Sequence, residues 1–311
     1  MHTAQLIPAK QPRKTYTAYF LLIITTLFWS GNIVIGKAFQ NDITPLSLAF
    51  LRWLCASLLL LPFSLSHLRK DWPAILAGWR MITLLSLLGI SAFNTILYYS
   101  AHTTAATNIA LIQTSLPLFV VILSYVLFSQ AITRGMLAGV GLGISGAALV
   151  IFKGDLLTLQ SLRFSPGDIS MLCAVFIYAL YSVLLPKAPA LHPLSFLAVT
   201  FILGTILLVP LYAWERLDLP ATAFDLRLVE VILYTAVCPS ILAYLFWNHG
   251  VATVGSATTG LFACFIPVFT AVIASLFLHE ALHVYHAIGM VMIIAGVLTT
   301  QATNCRNSAH T

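Results

Sequence analysis

Charge is the scarce commodity in this sequence. Two long stretches, Met81 to Thr133 and Val231 to His279, contain no Asp, Glu, Lys or Arg at all. One membrane crossing takes ~20 residues, so each stretch holds two. Charged residues make up 8% of the 311 positions and hydrophobic residues 60%. A water-soluble fold is therefore excluded, and the chain reads as an integral membrane protein. The apolar runs are continuous rather than alternating, which excludes a β-barrel. Cysteine is sparse too: Cys55, Cys173, Cys238, Cys264 and Cys305 are scattered without metal-ligand spacing, and within spans they act as small hydrophobes. No ATP-binding motif is present. The net charge of +6 is accounted for by flanks that meet anionic lipid and needs no nucleic acid.

Apolar segments separated by turn or charge signals fall at 16–36, 44–65, 81–101, 107–128, 134–152, 168–186, 193–214, 229–249, 258–279 and 284–302. These predict an all-α protein of ten transmembrane helices, five per half. Lys10, Arg13 and Lys14 precede the first run, which is too long for a signal-peptide core and leads straight into further spans, so it reads as a retained helix. With the N-terminus inside, nine Lys and Arg fall on the cytoplasmic side and five outside, with Arg52 left within a span. The positive-inside bias then places both termini in the cytoplasm of a multi-pass protein of the cell membrane, the inner membrane in a bacterium.

The charge-free stretches begin 150 positions apart, and the offset recurs residue by residue. Gly89, Pro117, Gln130, Gly139 and Gly146 answer to Pro239, Pro267, Glu280, Gly289 and Gly296 at 150; Pro45-Leu46-Ser47 and Pro62 answer to Pro193-Leu194-Ser195 and Pro210 at 148. Chance supplies about one such coincidence at any offset, since Gly and Pro are common; several in register indicate a duplication. The expected organisation is a cytoplasmic tail 1–15, a first repeat 16–152, a connecting loop 153–167, a second repeat 168–302 and a tail 303–311. Five spans per repeat force the second copy to enter from the opposite side. Such inverted repeats recur in secondary transporters, where the two halves exchange inward-open and outward-open shapes.

The duplicated halves resemble the EamA branch of the drug/metabolite transporter superfamily over essentially the whole chain. The resemblance is carried by Trp29-x-Gly31-Asn32, Arg52, Gly167-Asp168, Tyr178-Ala179-x-Tyr181-x-Val183, Pro117 and Pro267, Glu280, and Gly139, Gly146, Gly289 and Gly296. It implies ten helices, an inverted repeat, a central cavity and export of small metabolites. Gln130 departs from an acid frequent in the family, and Tyr178 from a frequent Trp.

Arg52 lies about eight residues into its span, where an arginine faces protein or a water-filled cavity and finds a partner. It reads either as a contact to an anionic substrate group or a gate, or as a salt bridge or carbonyl contacts pinning the first two helices, with Asp42 and Lys37 near the same end. Buried amides and phenols would lose hydrogen bonds if they faced lipid. Trp29, Asn32, Asn94, Tyr98, Gln113, Tyr178, Tyr181 and Tyr244 are therefore the candidates to line a substrate pathway, with helix-to-helix bonding as the competing role. Pro117 and Pro267 are expected to break helices beside it. Trp53, Trp214 and Trp247 read as interfacial anchors. The glycines of Gly139-x-Gly141-x-Gly143-x-x-Gly146 suit close helix packing or a homodimer face.

His279-Glu280-Ala281-Leu282-His283 matches the HExxH pattern of zinc peptidases. It falls at a predicted membrane boundary, and its repeat counterpart, Ser129 to Thr133, holds no ligand. The reading is thus a secondary transporter exporting small organic metabolites, amino acids or related amphipathic compounds, by alternating access. It needs no cofactor, metal or catalytic residue, and its partners are a small-molecule substrate and the bilayer. The alternatives are a drug or toxicant exporter, a membrane-embedded zinc peptidase and a non-transporting scaffold.

Overall fold

The computed structural model describes residues 12–104, 106–152, 165–218, 225–278 and 283–307. Among the described residues, ten helices are long and apolar enough to cross a membrane: α1 Thr15–Ala38, α2 Pro45–Ala77, α3 Trp79–Thr103, α4 Asn108–Phe128, α5 Arg134–Ile151, α6 Pro166–Lys187, α7 Pro193–Leu217, α8 Leu226–Val254, α9 Ser256–Ile273 and α10 Val284–Ala302. Among the described residues there is no strand. Large apolar side chains such as Phe63, at 71% exposed, cover the outside of the bundle, as a lipid-facing surface requires. Trp214 is exposed in the same way, as an anchor should be.

Helix α2 runs 33 residues, about 50 Å at 1.5 Å per residue, and so extends past the expected end at 65. Pro62 and Pro73 sit inside it without ending it, and Gly78 closes it by donating its N–H to the Ala74 carbonyl. At α6 the chain starts with a reciprocal cap: the Asp168 N–H donates to Ser165 Oγ, and Asp168 Oδ2 accepts the Ser165 N–H at 2.6 Å.

The two halves are related by inversion, and contacts between equivalent positions show it. Helices α2 and α7 pack antiparallel. Glu215 Oε2 accepts from Thr44 Oγ1 and Ser47 Oγ at one end, Ser57 and Thr205 pair at 3.3 Å in the middle, and the His67 and His192 rings stack at the other end. Helices α5 and α10 are also antiparallel. A Cβ on Gly139 would sit 2.5 Å from the Gly296 carbonyl oxygen, and one on Gly146 would sit 2.6 Å from that of Gly289. Both pairings hold in reverse, so the glycines are occupied in joining the two halves within one chain.

Helices α3 and α8 each contain one wide turn, Leu87–Ala92 and Val237–Leu242. These π-turns are 150 positions apart, and such turns are often found at functional sites. Helices α4 and α9 are interrupted just before their prolines. In α4 the interruption lies at Thr114 and Ser115, ahead of Pro117 near the start of the next helical stretch. In α9 it is the tight turn Phe262–Phe265, ahead of Pro267. Proline there lacks only an N–H that a helix start leaves free.

Candidate functional site

A narrow cavity of ≈ 20 Å³, room for about one water, lies in the middle of the bundle. Its polar wall is Trp29, Asn32, Arg52, Asn94, Gln113 and Tyr178; its apolar wall is Ile33, Phe93, Leu97, Leu116, Val175 and Ala263. Five of the eight residues expected on the pathway thus share one space with Arg52. The other three, Tyr98, Tyr181 and Tyr244, are buried just behind it. The apolar wall was not legible in the sequence, because an aliphatic residue facing a cavity is spelled like one facing lipid.

Helix geometry explains the convergence. Asn94 and Tyr244 occupy equivalent positions in α3 and α8, and the Asn94 amide donates to Tyr244 Oη at 3.2 Å. A residue can touch its own counterpart only close to the symmetry axis, so the cavity lies beside that axis. The equivalent rings Trp29 and Tyr178 meet edge to face, with centroids 5.4 Å apart. Around them Trp53 and Trp247 are fully buried. Both were expected at an interface; the structure places them in the core instead. Trp247 lies 4.8 Å from Trp29 and donates its indole N–H to Ser182 Oγ, while Trp53 packs edge-on against Tyr244. Aromatic pairs of this kind each add about 0.5–1.5 kcal/mol beyond area burial.

The two π-turns present the carbonyls of Gly89 and Pro239 to side chains. The Gly89 oxygen accepts from Tyr244 Oη and from Asn94 Nδ2, the latter at 3.1 Å. The Pro239 oxygen accepts from Arg52 Nη2 at 2.9 Å and from Trp29 Nε1 at 3.3 Å. Equivalent carbonyls are thus capped by donors of different chemistry, and the charge is on one side only. The position in α7 equivalent to Arg52 is Thr200.

Arg52 is 1% exposed. Nε donates to Ser240 Oγ at 2.5 Å, and Nη1 to Tyr98 Oη at 2.8 Å, Asn94 Oδ1 at 3.0 Å and Asn32 Oδ1 at 3.4 Å. The guanidinium also lies 4.8 Å from the Trp53 ring centre. Every partner among the described residues is neutral, so the salt-bridge reading is replaced by a cage of carbonyls and hydroxyls drawn from α1, α3 and α8. Lys37 is engaged elsewhere, donating to the carbonyls of Ala101 and Thr104.

One relation escaped residue-by-residue comparison of the halves. In the first half Tyr98 Oη donates to Asn32 Oδ1 at 2.9 Å; in the second, Tyr181 Oη donates to Asn248 Oδ1 at 2.9 Å. Asn32 corresponds to Tyr181 and Tyr98 to Asn248. The same bridge is built with donor and acceptor exchanged, which an alignment scores as two mismatches.

A model of the EamA-like transporter family matches residues 16–152 and again 165–301. The chain belongs to the EamA-like transporter family. It is therefore a multi-pass membrane protein of the drug/metabolite transporter superfamily, and a transporter rather than an enzyme. An uncharacterized transporter of Archaeoglobus fulgidus is 31% identical over 91% of this chain and 97% of its own length. A protein of Streptantibioticus cattleyicolor named a probable terminal-alkyne amino-acid exporter is 25% identical over 92% of this chain and 93% of its own. A crystal structure at 16% identity superposes with a TM-score of 0.72, covering 94% of this chain and 98% of the other, a likeness of fold. Of the zinc-peptidase pattern, residues 279–282 lie outside the described residues. His283 is exposed and its N–H donates to His286 Nδ1; among the described residues no cluster suited to a metal occurs.

Proposed function

We propose that this EamA-like transporter exports small amphipathic metabolites, amino acids or related compounds, by alternating access through the central cavity. The observation that carries the reading is the cavity's position beside the inversion axis, walled by polar and aromatic side chains from both halves. A site at that position is reached from either side when the halves rock against each other. The relative named as an amino-acid exporter supports the substrate class. A toxicity screen of candidate solutes in an overexpressing strain, followed by flux in proteoliposomes, tests the reading. An empty screen and flux no greater than in protein-free vesicles would reject it.

Both termini are assigned to the cytoplasm on the Lys and Arg bias. Reporter fusions after Lys153 and after Leu217 are expected to read outside. A cytoplasmic signal from either, with the N-terminus also inside, overturns the orientation.

Energy coupling is assigned to uniport or exchange, with proton coupling through a histidine, His102 or His249 at the helix ends, as the alternative. Proton relays use ionisable groups buried near mid-bilayer. Among the described acids only Asp168 is buried, and it sits in the first turn of α6, where Oδ1 accepts from Thr104 Oγ1 and Asn108 Nδ2. Imposing a pH gradient on proteoliposomes is expected to leave the final substrate distribution unchanged. Accumulation against the substrate gradient would refute this assignment.

A further inference from the structure

We propose that the transported solute carries a carboxylate, that Arg52 binds it, and that Tyr178 Oη donates a second hydrogen bond to it or to a neighbouring polar atom. This deepens the transport reading by naming the substrate's polar end, and it rests on the cavity being the path.

A guanidinium has five N–H donors. Among the described residues Nη2 has a single acceptor, Pro239 O, so its second N–H is unmatched. Nη1 and Nε are taken by the cage. Buried cations are paired with an opposite charge or with carbonyls; among the described residues Arg52 is held by neutral groups alone and no acid lines the cavity. Tyr178 Oη, on a side chain 1% exposed in the same wall, has no hydrogen-bond partner among the described residues. An unmatched cationic donor and an unmatched phenol in one space are complementary to an anionic oxygen group. Trp29, Phe93 and Leu97 line the same space and give the rest of the solute an apolar surface as the halves rock apart and the cavity widens. Nothing in the wall would neutralise an ammonium, which sets the expected order: plain carboxylates first, zwitterions next, amines last. A single free guanidinium N–H favours the monoanionic carboxylate over a phosphonate with its three oxygens.

The test is calorimetric binding to the full chain in lipid nanodiscs. The probes are butanoate, hexanoate and 3-phenylpropanoate, with phenylalanine, phenethylamine and 2-phenylethylphosphonate as matched comparators. The acid is expected to bind roughly 100-fold more tightly than the amine, as a hydrogen-bonded charge is worth. Arg52→Gln should abolish that preference. Tyr178→Phe removes an oxygen that bonds nothing among the described residues, so it should weaken acid binding roughly three- to tenfold with an unchanged thermal midpoint. If Arg52→Gln is not recovered folded, Tyr178→Phe and the acid-to-amine ratio decide. Equal binding of acid and amine, no binding by any acid, or acid binding unaffected by Tyr178→Phe overturns the proposal. A phosphonate that binds better than the acid overturns the carboxylate assignment. Arg52-dependent acid binding without flux upholds this site and rejects transport; flux without any charge preference does the reverse.

Discussion

Valine at Gly146 is expected to lower stability by about 1–3 kcal/mol, the usual cost of forcing methyl groups into a packed contact, and by more if the helices separate. A Cβ at Gly146 would meet the Gly289 carbonyl oxygen at 2.6 Å and Met292 Cβ at 2.9 Å. The oxygen is backbone, so no rotamer change relieves the clash; α5 and α10 would have to move apart. Valine at Gly289 should act alike, because it meets the Gly146 oxygen from the other side. Gly141, five residues earlier in the same helix with nothing within 4 Å, is the control and should accept alanine without loss. Thermal unfolding in detergent measures all three, and an unchanged midpoint for Gly146→Val would mean that this contact does not hold the halves together.

Asn32→Ala is expected to reduce flux roughly tenfold or more while leaving membrane insertion intact. Asn32 Oδ1 accepts from both Tyr98 Oη and Arg52 Nη1. Its loss leaves the buried Tyr98 hydroxyl without that acceptor and removes one of the three contacts at Arg52 Nη1; an unmatched buried donor costs about 1–3 kcal/mol, and a tenfold change in rate is about 1.4 kcal/mol. The mirrored bridge gives an internal comparison. Tyr181→Phe breaks the Tyr181–Asn248 bond, which does not involve Arg52, and should reduce flux far less. Proteoliposome flux, normalised to reconstituted protein, checks both. Equal losses, or none in either, would remove the link between Asn32 and the guanidinium.

The legible part of this protein followed from the bilayer. Backbone groups in hydrocarbon must bond within their own segment, so runs without charge were enough to place ten helices. Repeated prolines and glycines showed the duplication, since those residues answer to backbone requirements that both copies share. Asn32, Asn94, Gln113 and Tyr178 were visible as cavity candidates because a polar side chain in a membrane helix needs a protein or water partner. The interfacial-anchor reading failed for Trp53 and Trp247, which are fully buried. An indole suits an interface and a core equally well, and only the neighbours decide.

What the sequence determined by itself was the all-helical membrane architecture, its two inverted halves and the set of polar residues forced inward. Each follows from a local cost, that of placing a charge, a free backbone group or an amide in hydrocarbon. Tertiary structure alone decided the company those residues keep. It put Arg52 among neutral acceptors rather than beside Asp42, paired Asn with Tyr in opposite senses in the two halves, and turned the carbonyls of Gly89 and Pro239 toward side chains. It also consumed Gly139, Gly146, Gly289 and Gly296 between α5 and α10. These outcomes depend on which faces meet across the inversion axis, and that is fixed by the packing of helices distant in sequence rather than by any one helix.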